Sequence, residues 1–261
     1  MRRHRAPILR LLLGIALVGS VLGVAGPVPL AVAANPQPTT FSVDLAGPSD
    51  FVAQKNLVQC VGASMQMMLN IIRPRDDHTA PTQARLQAIA RDLSGPTRPG
   101  FGRKGASVTG WTAGLNQLAA GPYRMVGAAT PEEALRLAAV SIRETGRPVG
   151  LLVWGGRHAW VMSGFRATAD PRRTGAFRVT AAIVLDPLYP YGSSRWGRSP
   201  RPREALSVAR LGRQFVPRRR GTWAGAPIGV AGATMAALAG KYVIVMPFIP
   251  VSLPRAGQMA A

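Results

Sequence analysis

The dominant hydrophobic pattern of the chain changes near Gly146, from helical spacing to short apolar runs, and that change limits the folds open to it. Before Gly146 the apolar residues recur at helical spacing. Val61, Met65, Met68, Leu69 and Ile72 mark a helix over Cys60–Ile72, with Pro74 blocking its continuation. Leu86, Ile89, Ala90 and Leu93 mark a second over 81–93, ended by Gly95-Pro96. A third is predicted over 108–120, with Ser107 as its cap and Gly121-Pro122 as its stop. Thr130-Pro131-Glu132-Glu133 opens a fourth, in which Thr130 caps, Pro131 takes the first helical position and Glu133 completes a capping box. Short strands are predicted at 41–45 and 123–126. After Gly146 the apolar runs 149–154, 159–165, 177–185 and 242–248 are rich in β-branched or aromatic residues and separated by turn residues. The stretch 192–240 reads as mostly irregular, with a helix at 204–215. Helices first and strands after predict an α+β fold, an N-terminal helical half packed on a C-terminal antiparallel sheet. A cleft between two such halves suits a site built from both.

The 261 residues suffice for one large domain, and a mean hydropathy of +0.11 fits a chain able to bury a core. Residues 1–34 read as an export leader. Arg2, Arg3, Arg5 and Arg10 precede the apolar run 11–26, and Ala31-Val32-Ala33 offers small residues for a signal peptidase. The alternative is an uncleaved anchor, which would have to tolerate Pro27 and Pro29. Residues 35–40 read as a linker, 41–250 as the folded domain and 251–261 as a tail. The product is expected to be secreted, or membrane-anchored if the leader stays, and monomeric. Cys60 is the only cysteine, so an exported domain here holds no internal disulfide and stands on its core alone.

The formal net charge is +21, and with only three lysines the excess is nearly all arginine. Nine arginines and one acid, Glu204, lie between Arg195 and Arg220. Such a segment attracts polyanions, among them acidic cell-wall polymers and anionic membrane surfaces. Only Trp196 and Phe215 interrupt it, too few aromatics for base stacking, so nucleic acid is not an expected partner. Two histidines beyond the leader and one cysteine cannot assemble a common metal-ligand set, and no phosphate-cradling glycine motif is present. No cofactor is expected.

Thiol catalysis needs a thiolate, a base, donors for the oxyanion and a group that orients the base. Cys60 is the one thiol, and its place at a helix start favours the thiolate. The small residues Gly62, Ala63 and Ser64 would let a substrate backbone approach. Of the histidines, His78 lies in the polar loop 75–79, whereas His158 follows Gly155-Gly156-Arg157 at the mouth of a strand. His158 is therefore the expected base. Asp186 ends an apolar strand and can accept the second imidazole N–H. Gln54 can supply an oxyanion donor from its amide, while Gln59 is expected to point elsewhere.

Gln54-x5-Cys60 with a small residue three after the Cys, then His158-Ala159-Trp160-Val161 with Gly164, then Leu185-Asp186-Pro187, resembles the papain superfamily of cysteine peptidases. The order is most similar to the bacteriocin-leader-processing peptidases and their stand-alone exported bacterial relatives, and 240–245 is similar to their last strand. The resemblance spans roughly 41–248. It implies a papain-like fold and a peptide or protein substrate cleaved through an acyl-thioester. It implies Cys60 as nucleophile, His158 as base, Asp186 as its orienter and Gln54 in the oxyanion hole. The chain departs from the family in carrying Gln59 before and Val61 after the cysteine, and in the 98 residues that separate Cys60 from His158. Another Cys-His-Asp acyl-transfer enzyme, such as a cell-wall amidase or a transglutaminase-like enzyme, stays open, as does an inactive binding relative.

Overall fold

Helical periodicity in the first half places three helices side by side. The computed structural model describes residues 40–73, 75–95, 105–219 and 237–250. The leader 1–34, linker residues 35–39, Pro74, Pro96, Arg220 and the tail 251–261 lie outside the described residues. After strand β1 (Phe41–Asp44) come α1 (Cys60–Ile72), α2 (Ala80–Asp92) and α3 (Val108–Gln117). Then follow β2 (Tyr123–Ala128), α4 (Pro131–Thr145), β3 (Val149–Val153), β4 (His158–Ala167) and β5 (Val179–Leu185). A small ribbon, β6 (Gly192–Ser193) and β7 (Gly197–Arg198), precedes β8 (Glu204–Ser207), α5 (Val208–Leu211) and β9 (Tyr242–Pro247). No helix among the described residues is long and apolar enough to cross a membrane.

The fold is α+β, with mixed helices and an antiparallel sheet. Among the described residues the main sheet has seven strands in the order β2-β9-β3-β4-β5-β8, with β1 paired to β4 beyond the end of β3. Two expectations need correction. The sheet is not confined to the second half of the chain, because β1 and β2 join it from the first half. Nor do all the helices share one side. Leu135, Ala138, Ala139 and Ile142 of α4 pack with Val149, Leu151, Trp160 and Met162 on one face. Val61, Met65, Met68, Leu86 and Trp111 of α1–α3 pack with Leu152, Ala159, Val161 and Val245 on the other. Period-two alternation along buried strands sends neighbouring residues to opposite faces, and each face needs its own cover.

The helix expected at 204–215 is a third correction. Glu204–Ser207 extends and pairs with β5, Ala182 opposite Leu206, and only the single turn Val208–Leu211 is helical. Four residues with one buried leucine fit either period, and a free edge of β5 decides for the strand.

Candidate active site

Antiparallel pairing places the start of one strand beside the end of the next. β4 begins at His158, β5 ends at Leu185, and the register sets Val161 opposite Leu185. His158 and Asp186 therefore emerge at the same end of the sheet. The imidazole Nε2 lies 2.7 Å from Asp186 Oδ1, with His158 4% and Asp186 0% exposed. The same carboxylate oxygen accepts from Leu188 N at 2.9 Å, which fixes its orientation. Oδ2 is buried and has no hydrogen-bond partner among the described residues. The imidazole is thus the main counter-charge available to this carboxylate.

Helix α1 brings the thiol to the same point. Ser64 donates from Oγ to Ala159 O at 3.2 Å, fastening the second turn of α1 to the second residue of β4. Cys60 lies four residues before Ser64, on the same helix face, and His158 lies one residue before Ala159. This bond helps bring the start of α1 to the start of β4. With Nε2 committed to Asp186, Nδ1 is the ring nitrogen left for Cys60, whose proximity favours the charged ring. Cys60 is partly exposed, so the pair opens to solvent on the sulfur side.

Opposing forces act on the His158 proton. Burial is the largest and disfavours the cation, but the Asp186 and Cys60 hydrogen bonds and charges together outweigh it. The balance raises the imidazole from 6.5 to about 9. The direction of the shift favours the imidazolium, between a carboxylate and a sulfur.

The segment before Cys60 is clamped. Gln83 of α2 accepts from Lys55 N at 2.7 Å and donates to Ala53 O at 3.0 Å. Between those two residues, Gln54 N donates to Pro187 O at 2.7 Å, so the segment is tied to the residue after Asp186. The Gln54 amide donates to Asn56 O at 2.9 Å, and its Oε1 is buried without a partner among the described residues. Gln59 is the residue that precedes α1, and its Oε1 is likewise buried without a partner. His78 is exposed on its loop.

Gly62, Ala63 and Ser64 do not open the site to substrate, contrary to expectation. All three are buried. A Cβ on Gly62 would meet Gln83 O at 2.7 Å and Gln87 Cβ at 2.8 Å, so the glycine lets α1 and α2 approach. The Gly62 N–H donates to Gln87 Oε1 at 2.9 Å, and Ala63 N to Gln59 O at 2.9 Å. That leaves Cys60 and Val61 as the first-turn N–H groups open to an oxyanion.

Two residues that sequence reasoning missed support His158. Trp154 stacks on its ring, centroids 4.2 Å apart at 24°. Gln214 holds Trp154 twice, accepting from its backbone N–H and from Nε1, each at 2.8 Å. Trp154 sits at φ 59°, followed by Gly155 at 67° and Gly156 at 98°. For a tryptophan this left-handed backbone costs about 1–2 kcal/mol, which the stack and the two hydrogen bonds offset. The Gly155-Gly156 pair was the one available signal, because two glycines allow a turn that a bulky residue then enters under strain.

Comparison of the chain with protein-family models, with curated proteins and with solved structures finds no match. The functional reading rests on the site itself.

Proposed function

We propose that this protein is a cysteine peptidase of papain-like architecture, exported from the cell, that hydrolyses peptide or isopeptide bonds with Cys60, His158 and Asp186. One observation carries the reading: a buried imidazole bonded on one nitrogen to a carboxylate and close enough to a partly exposed thiol for the two to interact. A merely structural histidine needs no acidic partner and no sulfur at a helix start. Here the thiolate attacks the scissile carbonyl carbon, and negative charge gathers on the carbonyl oxygen. The Cys60 and Val61 N–H groups at the start of α1, with the second N–H of the Gln54 amide, are the donors for that charge. The C–N bond breaks as the His158 imidazolium gives its proton to the departing amine, leaving an acyl-thioester on Cys60. Water then attacks the thioester while neutral His158 takes its proton, and the acid and the thiol are released. Asp186 keeps the ring aligned through both halves.

The test is labelling of the purified protein, without its leader, by a thiol-directed acylating probe, with mass spectrometry of the adduct. Wild-type protein is expected to label at Cys60 faster than free cysteine near neutral pH. His158→Ala should lose acylation by a factor of about 10³ or more, whereas His78→Ala should stay within a few-fold. A dead His78 variant beside an active His158 variant would overturn the assignment of the base.

A further inference from the structure

The rim of the site differs in character on its two sides. The loop leading into Cys60 carries Leu57, 85% exposed, and Val58, 39% exposed. The chain beyond Asp186 adds Tyr191, 74% exposed, and the Gln54–Pro187 bond joins these two loops. Three of the four large hydrophobic side chains exposed among the described residues thus lie on the two loops that this bond joins, one leading into Cys60 and the other leading away from Asp186. At the other end, one backbone bond ties the arginine segment to the turn that delivers His158 and a second ties it to the residue before β9. Arg219 N donates to Gly155 O at 3.1 Å, and Arg218 N donates to Lys241 O at 2.8 Å. The arginine stems cover the two glycines so closely that a Cβ on Gly155 would meet Arg219 Cγ at 3.2 Å. One on Gly156 would meet Arg218 Cγ at 3.1 Å. Arg157, in the same turn, is exposed, as is Arg219. Among the described residues neither enters an ion pair, whereas Arg203 and Arg210 are matched by Asp44 and Glu204.

We propose that this rim selects an extended peptide with an apolar side chain on the acyl side of the scissile bond and an acidic one on the leaving-group side. The proposal rests on the hydrolase reading above. The acyl part of the substrate becomes bonded to Cys60, beside Leu57 and Val58. The departing amine takes its proton from His158, and the peptide beyond that amine runs toward the turn bearing Arg157 and Arg219. A carboxylate there meets unmatched guanidinium groups, and a lysine or arginine meets like charge.

A positional-scanning library of internally quenched peptides, digested by the protein without its leader and read by mass spectrometry of the new ends, tests it. At low salt, bonds followed by Asp or Glu and preceded by a large apolar residue are expected to be cleaved roughly tenfold faster than those followed by Lys or Arg. The acidic preference should shrink as ionic strength rises. The double variant Arg157→Glu, Arg219→Glu should reverse it toward Lys, a reversal that misfolding cannot produce. Cleavage with no acidic preference, or a preference the double variant leaves intact, overturns the proposal and leaves the peptidase standing. An unreactive Cys60 with no peptide cleaved removes both.

Discussion

The two faces of the sheet are covered by helices of different chemistry. On one, α4 lays Leu135, Ala138, Ala139 and Ile142 against Leu151, Trp160 and Met162, and the packed layer is almost entirely apolar. On the other, α1 and α2 bury Ser64, Gln66, Asn70, Gln83 and Gln87 among their methionines and leucines. Non-directional burial holds the first face together. The second spends part of its interior on directional bonds: those of Ser64 and Gln87 end on backbone within two residues of His158 and Cys60, and Gln83 holds the backbone on either side of Gln54. The apolar face supplies stability, and the polar face places the thiol.

The largest effect that would break this division is expected from Leu135→Ala. Leu135 is fully buried on the α4 face, and its truncation should lower unfolding free energy by about 2–5 kcal/mol in urea. The labelling rate of the folded fraction should stay within a few-fold of wild type. A rate that fell in step with stability would mean that the α4 face also positions the site.

A smaller and opposite outcome is expected from Gln83→Leu, which keeps the volume and removes the clamp on Ala53 and Lys55. The segment carrying Gln54 then loses two of its anchors, and a shift of about 1 Å at the thiol can cost roughly 10- to 100-fold in rate. Labelling of Cys60 by the acylating probe should fall by that order. The stability cost should be about 1–3 kcal/mol, from the backbone groups left without partners. Unchanged labelling at reduced stability would make Gln83 a core residue and nothing more.

The division between faces was only half visible in the sequence. The start of α1 at Cys60 was legible from periodicity, and the α4 cap from Thr130, whose Oγ1 accepts from Glu133 N at 3.1 Å. Glu133 reaches back as a capping box requires, though to Ala129 N, one residue beyond the cap, at 2.7 Å. His158 beside Asp186 was legible too, because a residue opening one strand and another closing the next meet whenever the strands pair antiparallel. Gln83, Gln87 and Gln214 were not. A glutamine in a helical pattern reads as solvated surface, and only tertiary packing reveals that its amide ends on a segment distant in sequence. The side chosen by α4 was hidden for a related reason. An amphipathic helix states that it will cover something, while the free face of the sheet decides what.

The last and smallest effect concerns the proton that the polar face holds. His158 keeps it to about 9, above the ordinary 6.5, because Asp186 and Cys60 together overcome the burial that opposes it. A folded-state value above the unfolded one means that the native protein binds the proton more tightly. The stability this contributes is fully present below about 6.5 and is lost as pH rises through about 9. One proton limits the slope to about 1.4 kcal/mol per pH unit. Cys60→Ala removes one of the two partners and leaves Asp186 alone against burial, so its loss of stability should begin at lower pH. Denaturant unfolding of wild type, Cys60→Ala and Leu135→Ala between about pH 6 and 10 separates the faces. The Leu135 curve should lie below wild type and run parallel to it, because that face holds no shared proton. The Cys60 curve should cross the window earlier. Coincidence of the Cys60 and wild-type curves in shape would mean that the thiol takes no share in the imidazole proton, and the pair proposed as the catalytic centre would reduce to His158 and Asp186.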